Sequence, residues 1–353
     1  MQTPGHRAGT HCANADQSLD SSDIMALVVK EMDLNTAKNA RAVCRSWRRF
    51  VKEAKLEPLE AGCSEQQRKL GLENQQRLEK ALALENQVYT AEFMAKIAQH
   101  LTQQQEITAE MRRTLVNWLI EIHFKFECHR HLSLYLSVKL VDLFLANNEV
   151  TSRRFQNVGV SAFRLACMRE EKFYPNIFDF SYITNHSSSQ EQIIGMQDKI
   201  FGQFKDNLEH PNPATYLDRF LKAAKLNFTK SSDNAYSKDN SIALYFIDTA
   251  MLDATLVTTC PSLIAAAAIM CTLRVLGRSD WNKHLDYYTT YRRETVAKLA
   301  DELIANGRAS TPSAIKHKYT SQRLGGKGDQ VGADGKSLDN GCLHVLADYY
   351  GRL

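Results

Sequence analysis

Met111-Arg112-Arg113-Thr114-Leu115-Val116-Asn117-Trp118-Leu119-Ile120-Glu121 reads as the body of an amphipathic helix, and that reading decides the fold. Followed on to Phe126, the side chains of Met111, Leu115, Trp118, Leu119, Ile122 and Phe126 fall on one broad stripe of a 3.6-residue repeat. A stripe of this kind reports burial and says nothing about partners. The surrounding sequence repeats the signal. Ser188 and Glu191 have the spacing of a capping box, which predicts a helix start just before Ile193, Ile194 and Met196. Pro213 suits the first turn of a helix through Tyr216, Leu217, Phe220 and Leu221. Pro261 opens another, nearly all apolar, whose Ala265 to Ala268 allow close approach of neighbouring helices and which Gly277 closes. A further helix over 294–306 ends at Gly307, residues 227–240 read as a polar loop, and the glycine-rich stretch 321–341 reads as flexible. Strand signals are nearly absent.

Composition bounds what these helices can be. The chain has 353 residues, 44% hydrophobic and 24% charged, enough to bury a large core. No apolar run reaches the length of a membrane span, and the first ten residues are polar, so neither membrane insertion nor secretion is expected. The eight cysteines are scattered with no C-x-x-C pair, the usage of a reducing compartment. A net charge of +4 is too small to hold nucleic acid by bulk electrostatics. The basic face Arg41, Arg45, Arg48 and Arg49 reads as a solvated helix side, and no nucleic-acid partner is expected.

Catalytic chemistry is not indicated. Gly325-Gly326-Lys327-Gly328 has neither the strand nor the spacing of a phosphate loop, and no serine elbow or H-E-x-x-H occurs. His123, Cys128, His129 and His131 are metal-binding residue types at a spacing that suits no common zinc site, so the expectation is no metal, no cofactor and no catalytic residue.

From residue 88 to about 320 the chain resembles the tandem fold of A- and B-type cyclins. Ile107-Thr108-Ala109-Glu110 before Met111 fits that family's I-T-x-x-M-R approach, and residues 139–145 resemble its D-R-F-L helix with Asp142 kept. Glu170-Glu171, Pro175 and Tyr182-Ile183-Thr184 follow in order. In the second half come His210-Pro211-Asn212-Pro213, Thr249-Ala250-Met251-Leu252-Asp253, Pro261-Ser262-Leu263-Ile264-Ala265-Ala266 and His317-Lys318-Tyr319. The resemblance implies an all-α protein of two five-helix bundles, residues 88–209 and 210–309, that presents surfaces and catalyses nothing. It implies a substrate-docking patch of Met111, Leu115, Trp118, Glu121, Phe155 and Gln156, an exposed apolar groove for peptides carrying a basic residue and a leucine. Arg112 and Asp142 stand where the family has a structural ion pair. Three kinase-contact positions are altered: Met168 replaces a lysine, Gln197 a glutamate and Asn157 an aliphatic residue, and Arg169 is the nearest replacement cation.

Ahead of the first bundle, residues 18–55 resemble an F-box, most clearly in Val43-Cys44-Arg45-Ser46-Trp47-Arg48, although the usual Leu-Pro entry is missing. Ile24, Leu27, Val43 and Trp47 would be its anchors on a Skp-type adaptor of a cullin ubiquitin ligase, with Val43 and Trp47 four apart on one helix face. Residues 59–87 read as a polar linking helix and residues 310–353 as a mostly flexible tail. The arrangement is similar to that of cyclin F and implies a ligase substrate receptor. The B-type likeness of the second half implies instead activation of a cyclin-dependent serine/threonine kinase. Either role places the protein in the nucleus and cytoplasm of dividing cells.

Overall fold

The computed structural model describes residues 65–128, 130–226, 237–278, 281–309, 312–320 and 342–352, so the F-box-like segment with Ile24, Leu27, Val43 and Trp47 lies outside the described residues. Two helices, α1 (Glu65–Val88) and α2 (Ala91–Gln103), lead into a first bundle of α3 (Ala109–Lys125), α4 (His131–Leu145), α5 (Ser152–Glu170), α6 (Ile177–Ile183) and α7 (Gln190–Phe204). A second bundle repeats the count with α8 (Pro213–Ala223), α9 (Lys238–Leu252), α10 (Pro261–Val275), α11 (Lys283–Thr289) and α12 (Arg293–Ala309). Two more helices follow, α13 (Ser313–Thr320) and α14 (Cys342–Arg352), and no strand occurs among the described residues. The all-helical, two-bundle expectation therefore holds.

Each bundle is built around one buried helix. In the first it is α5, packed on α3, α4 and α7. Phe163 of α5 stacks on Phe126 and meets Phe180 of α6 edge-on, with ring centroids 6.3 and 6.0 Å away. Gly159 makes the α3–α5 crossing possible, because a Cβ there would lie 2.7 Å from Leu115 Cδ1. In the second bundle the centre is α10, where Ala265, Ala266, Ala267 and Ala268 are all fully buried against α8, α9, α11 and α12. Its end is stapled by Gly277 at φ +63°: Gly277 N–H donates to Arg274 O (3.1 Å) and Arg278 N–H to Leu273 O (3.0 Å), the paired bonds of a Schellman motif.

Helix α3 is buried more widely than its stripe implies. Val116 and Ile120 are fully buried along with Leu119, because α3 packs on its own bundle, on α9 and on α13. Helix α13 returns from beyond the second bundle to lie against the first. A single acid ties this joint together. Asp248 of α9, wholly buried, accepts hydrogen bonds from Tyr135 Oη of α4 (2.9 Å), Lys318 Nζ (2.6 Å) and Tyr319 Oη (2.8 Å) of α13. Such a charge is tolerated in the interior only because both of its oxygens are satisfied, one of them by a cation.

Five local expectations change. The capping box before α7 is Ser189 with Gln192, one residue later than Ser188 with Glu191: Gln192 N–H bonds to Ser189 Oγ (3.3 Å) and Ser189 N–H to Gln192 Oε1 (2.9 Å). Helix α12 runs through Gly307 to Ala309, since the glycine serves contact rather than termination; a Cβ there would collide with Tyr350 of α14. The loop after α8 ends before Ser237, which caps α9, so Lys238, Asp239 and Asn240 are helical; residues 227–236 lie outside the described ones. Helix α1 is no mere linker. Leu78 and Ala81 are buried, Tyr216 Oη of α8 donates to Ala81 O (3.1 Å), and Ser262 of α10 donates both N–H (2.9 Å) and hydroxyl to the Glu85 carboxylate. Residues 310–353 are not simply a tail either, because α13 and α14 both pack on α9.

Candidate functional surface

Burial is easy to satisfy on a bundle, so large apolar side chains left in solvent stand out. Among the described residues the exposed ones are Met168, Phe173, Tyr174, Phe178, Tyr182, Ile194 and Phe201. All seven lie between the end of α5 and the end of α7, on one bundle. The short helix α6 explains two of them. It is anchored by an Asn176–Asp179 capping box and turns Phe180 and Ser181 inward, which sends Phe178 and Tyr182 out on the opposite side. Those two rings stack at 6.5 Å, and His186 closes on Tyr182 edge-on at 5.9 Å. Phe173 is 79% and Tyr182 64% exposed, which is costly for side chains of this size unless something covers them.

The three altered positions flank this surface unevenly. Met168 is on it. Gln197 is buried beneath it and accepts a hydrogen bond from Arg164 Nη1. Asn157 is turned inward: its Nδ2 donates to Gln192 O (3.3 Å) and its Oδ1 accepts from Ser161 Oγ (3.2 Å), tying α5 to α7. Arg169 is already committed, 3.2 Å from Glu209 and 3.8 Å from Glu170. The cation that faces the same way as Met168 is Arg164, one helical turn earlier, whose buried Nε has no hydrogen-bond partner among the described residues. The sequence held that i, i+4 spacing, but nothing in it paired Arg164 with Gln197.

The residues expected to form the docking patch lie on α3 and at the start of α5. Leu115 and Phe155 are buried and form its floor, Leu115 closed over by the approach to Gly159. Met111, Trp118, Glu121 and Gln156 are half-buried around them. Glu121 pairs with Lys125 at 2.7 Å, an exposed i, i+4 contact that an incoming cation can displace at little cost. Gln156 Oε1 accepts from Ser187 Oγ at 2.9 Å. Arg112 lies behind the patch, its Nε and Nη2 gripping Asp142 at 2.7 and 2.8 Å and its Nη1 donating to Met251 O of the second bundle at 3.0 Å. The pair thus joins α3 to α4 and to α9 as well.

Two further groups of ionisable side chains are buried. Lys139 of α4 holds its ammonium 5.2 Å over the Tyr89 ring with no hydrogen-bond partner among the described residues, and burial pushes its pKa down to about 7. Burial raises the Glu85 carboxyl, against the pull of its bonds to Ser262, and lowers His210 to about 4. The second group assembles part of the His/Cys segment. His123 stacks on His131 at 5.8 Å, and Cys128 Sγ lies 3.9 Å from Cys167 Sγ; His129 is outside the described residues. The contact with Cys128, together with burial, pushes the Cys167 thiol up.

Two five-helix bundles in tandem, joined by the hydrogen bonds of Arg112 to Met251 O and of Tyr135 to Asp248 and with exposed apolar side chains on the first, define an all-helical two-box scaffold. Known proteins place it in a family. The Cyclin, N-terminal domain family matches residues 85–209 and the Cyclin, C-terminal domain family residues 211–327. The chain belongs to the cyclin family. It is 32% identical over 238 residues to the G2/mitotic-specific cyclin-B2 of Mesocricetus auratus and to that of Homo sapiens, an alignment covering 66% of this chain and 57% of each relative. The chain therefore spans little more than half the length of the curated relatives it matches. A viral cyclin from herpesvirus saimiri shares the fold at TM-score 0.51 and 18% identity, over 58% of this chain and 90% of that one.

Proposed function

We propose that this chain is a B-type-like regulatory subunit that binds and activates a cyclin-dependent serine/threonine kinase. The carrying observation is the run of exposed side chains from Met168 to Phe201, seven large apolar residues within one stretch of the first bundle and none elsewhere among the described residues. Interfaces of this kind are enriched in Met and aromatic residues and usually need a charged anchor. Arg164, next to Gln197, supplies it in place of the lysine that Met168 replaces. Copurification of the chain with such a kinase, followed by phosphotransfer assays with and without the chain, tests the reading. A kinase pair with no stimulated phosphotransfer counts against it. Reversal of the charge in Arg164→Glu is expected to weaken binding more than Arg169→Glu, because Arg169 is already neutralised by its acidic neighbours.

Substrates carrying a basic residue and a leucine would dock separately, on the floor of Leu115 and Phe155 with Trp118 beside it and Glu121 for the cation. Trp118→Ala is expected to reduce phosphorylation of such substrates while leaving a minimal peptide unaffected. The ligase-receptor reading rests on the F-box-like segment, chiefly the Val43 to Arg48 string, which lies outside the described residues. Adaptor capture that survives Trp47→Ala removes it.

A further inference from the structure

Three side chains with metal-ligand chemistry converge in the first bundle, and a fourth, Cys167, adjoins one of them. His123 comes from the last turn of α3, Cys128 from the loop after it, Cys167 from α5 and Glu171 from the residue that caps α5. Ligand atoms of His123, Cys128 and Glu171 all lie within 4.8 Å of one another, and Cys167 Sγ stands 3.9 Å from Cys128 Sγ. We propose that His123, Cys128 and Glu171, completed by Cys167 from its place beside Cys128, form a binding site for a thiophilic divalent cation of the zinc type, held by two thiolates, one imidazole and one carboxylate.

The spacing carries the argument. Two thiolates each about 2.3 Å from a tetrahedral zinc stand about 3.8 Å apart, close to the separation observed. The supporting contacts have the form that ligands need. His123 Nε2 donates to Arg130 O (3.1 Å), which fixes the tautomer and the tilt of the ring. Glu171 Oε1 accepts from Arg130 N–H (3.0 Å) and Ser133 Oγ–H (2.8 Å), which orients the carboxylate. Both residues are under 9% exposed, and Cys167 is fully buried. The loop also adopts a conformation that ordinary side chains resist: Glu127 sits at φ +51°, turning the chain so that Cys128 N–H bonds back to His123 O at 3.2 Å and its thiol meets α5. Cys271, the other buried cysteine among the described residues, is a satisfied core thiol, its Sγ 3.5 Å from Ala300 O.

Binding converts two thiols to thiolates and releases two protons to solvent for each cation taken up. The occupied site would tie α3 to α5 beneath Met168, one stacked ring from His131 and the joint at Asp248 and Lys318.

The test uses the full chain under reducing conditions, with Co²⁺ as spectroscopic probe and Zn²⁺ as competitor. Expected are one cobalt per chain, a thiolate-to-cobalt charge-transfer band, displacement by equimolar zinc and release of two protons per metal. Cys128→Ser is expected to weaken the band and to weaken binding roughly tenfold or more, and Cys128→Ser with Cys167→Ser to abolish the band, while Cys260→Ser in the second bundle changes neither. A cobalt spectrum without the thiolate band, or binding of undiminished affinity in Cys128→Ser, overturns the proposal. So does oxidation of the pair by peroxide to a disulfide in a chain that takes up no metal when reduced. Alkylation of the unaltered chain gives an independent measurement free of any folding defect: zinc is expected to slow modification of Cys128 and Cys167 by roughly tenfold or more, and an unchanged rate refutes the site.

Discussion

The two bundles have the same five-helix plan and differ in what they leave uncovered. Helix α10 of the second is buried from Pro261 to Val275 almost without interruption, and its neighbours seal it. Helix α5 of the first is just as buried along its middle but ends in Met168 and Arg169, beyond which aromatic side chains stand in solvent as far as Phe201. The second bundle carries the fold, and the first carries the surface. A shared architecture thus says little about where a protein works. The informative residues are those that depart from what burial alone would select.

Variants can break or sharpen this contrast. The largest expected effect lies at the joint, where Asp248→Ala strands the buried ammonium of Lys318 and costs about 3–5 kcal/mol. Urea denaturation is expected to show this loss in a single transition; two separated transitions would mean that the bundles fold independently. Gly159→Ala comes next. Its Cβ would press on Leu115, which can shift only by disturbing the α3–α5 crossing, and the expected cost is about 1–3 kcal/mol by the same measurement. The opposite outcome, a variant as stable as the parent, would show that the crossing has slack.

The third effect depends on pH. In the folded chain Lys139 titrates near 7 rather than 10.5, so the unfolded chain binds the extra proton between those values. Its contribution to stability is complete above pH 10.5 and is lost as the pH falls through about 7. Lys139→Met is expected to flatten that part of the stability profile and to raise the urea midpoint at neutral pH. An unchanged slope between pH 7 and pH 9 would mean that the ammonium is solvated. The smallest effect on folding belongs to the exposed rings. Phe178→Ser with Tyr182→Ser is expected to change stability by no more than about 0.5 kcal/mol per site while weakening kinase capture, the reverse of Asp248→Ala.

Much of the fold was legible because helices write their period into the chain. The stripe from Met111 to Phe126, Pro213, Pro261 and Gly277 each marked an element or its end. What escaped had no local trace. Val116 and Ile120 lie off the stripe and are buried because α3 serves two bundles at once. Gly307 carried the signal of a helix end, but tertiary contact with Tyr350 overrode it. The site was legible by residue type and not by grouping. Cys128 and His123 were visible as neighbours, while Cys167 and Glu171 join them only because α5 passes beside that loop. The aromatic residues after Met168 were in plain sight, yet no periodicity distinguishes an outward ring from an inward one on a seven-residue helix such as α6.

The return of α13 has a consequence for how this polypeptide is made. Translation delivers Phe204, the last residue of the first bundle, about 110 residues before it delivers the start of α13, an interval of roughly 5 to 20 s at ordinary elongation speeds. Throughout that interval the side of α3 destined for α13 has no cover, and Tyr135 waits for Asp248, which then waits for Lys318. The first bundle, although made before the second, is therefore among the last parts of the molecule to close.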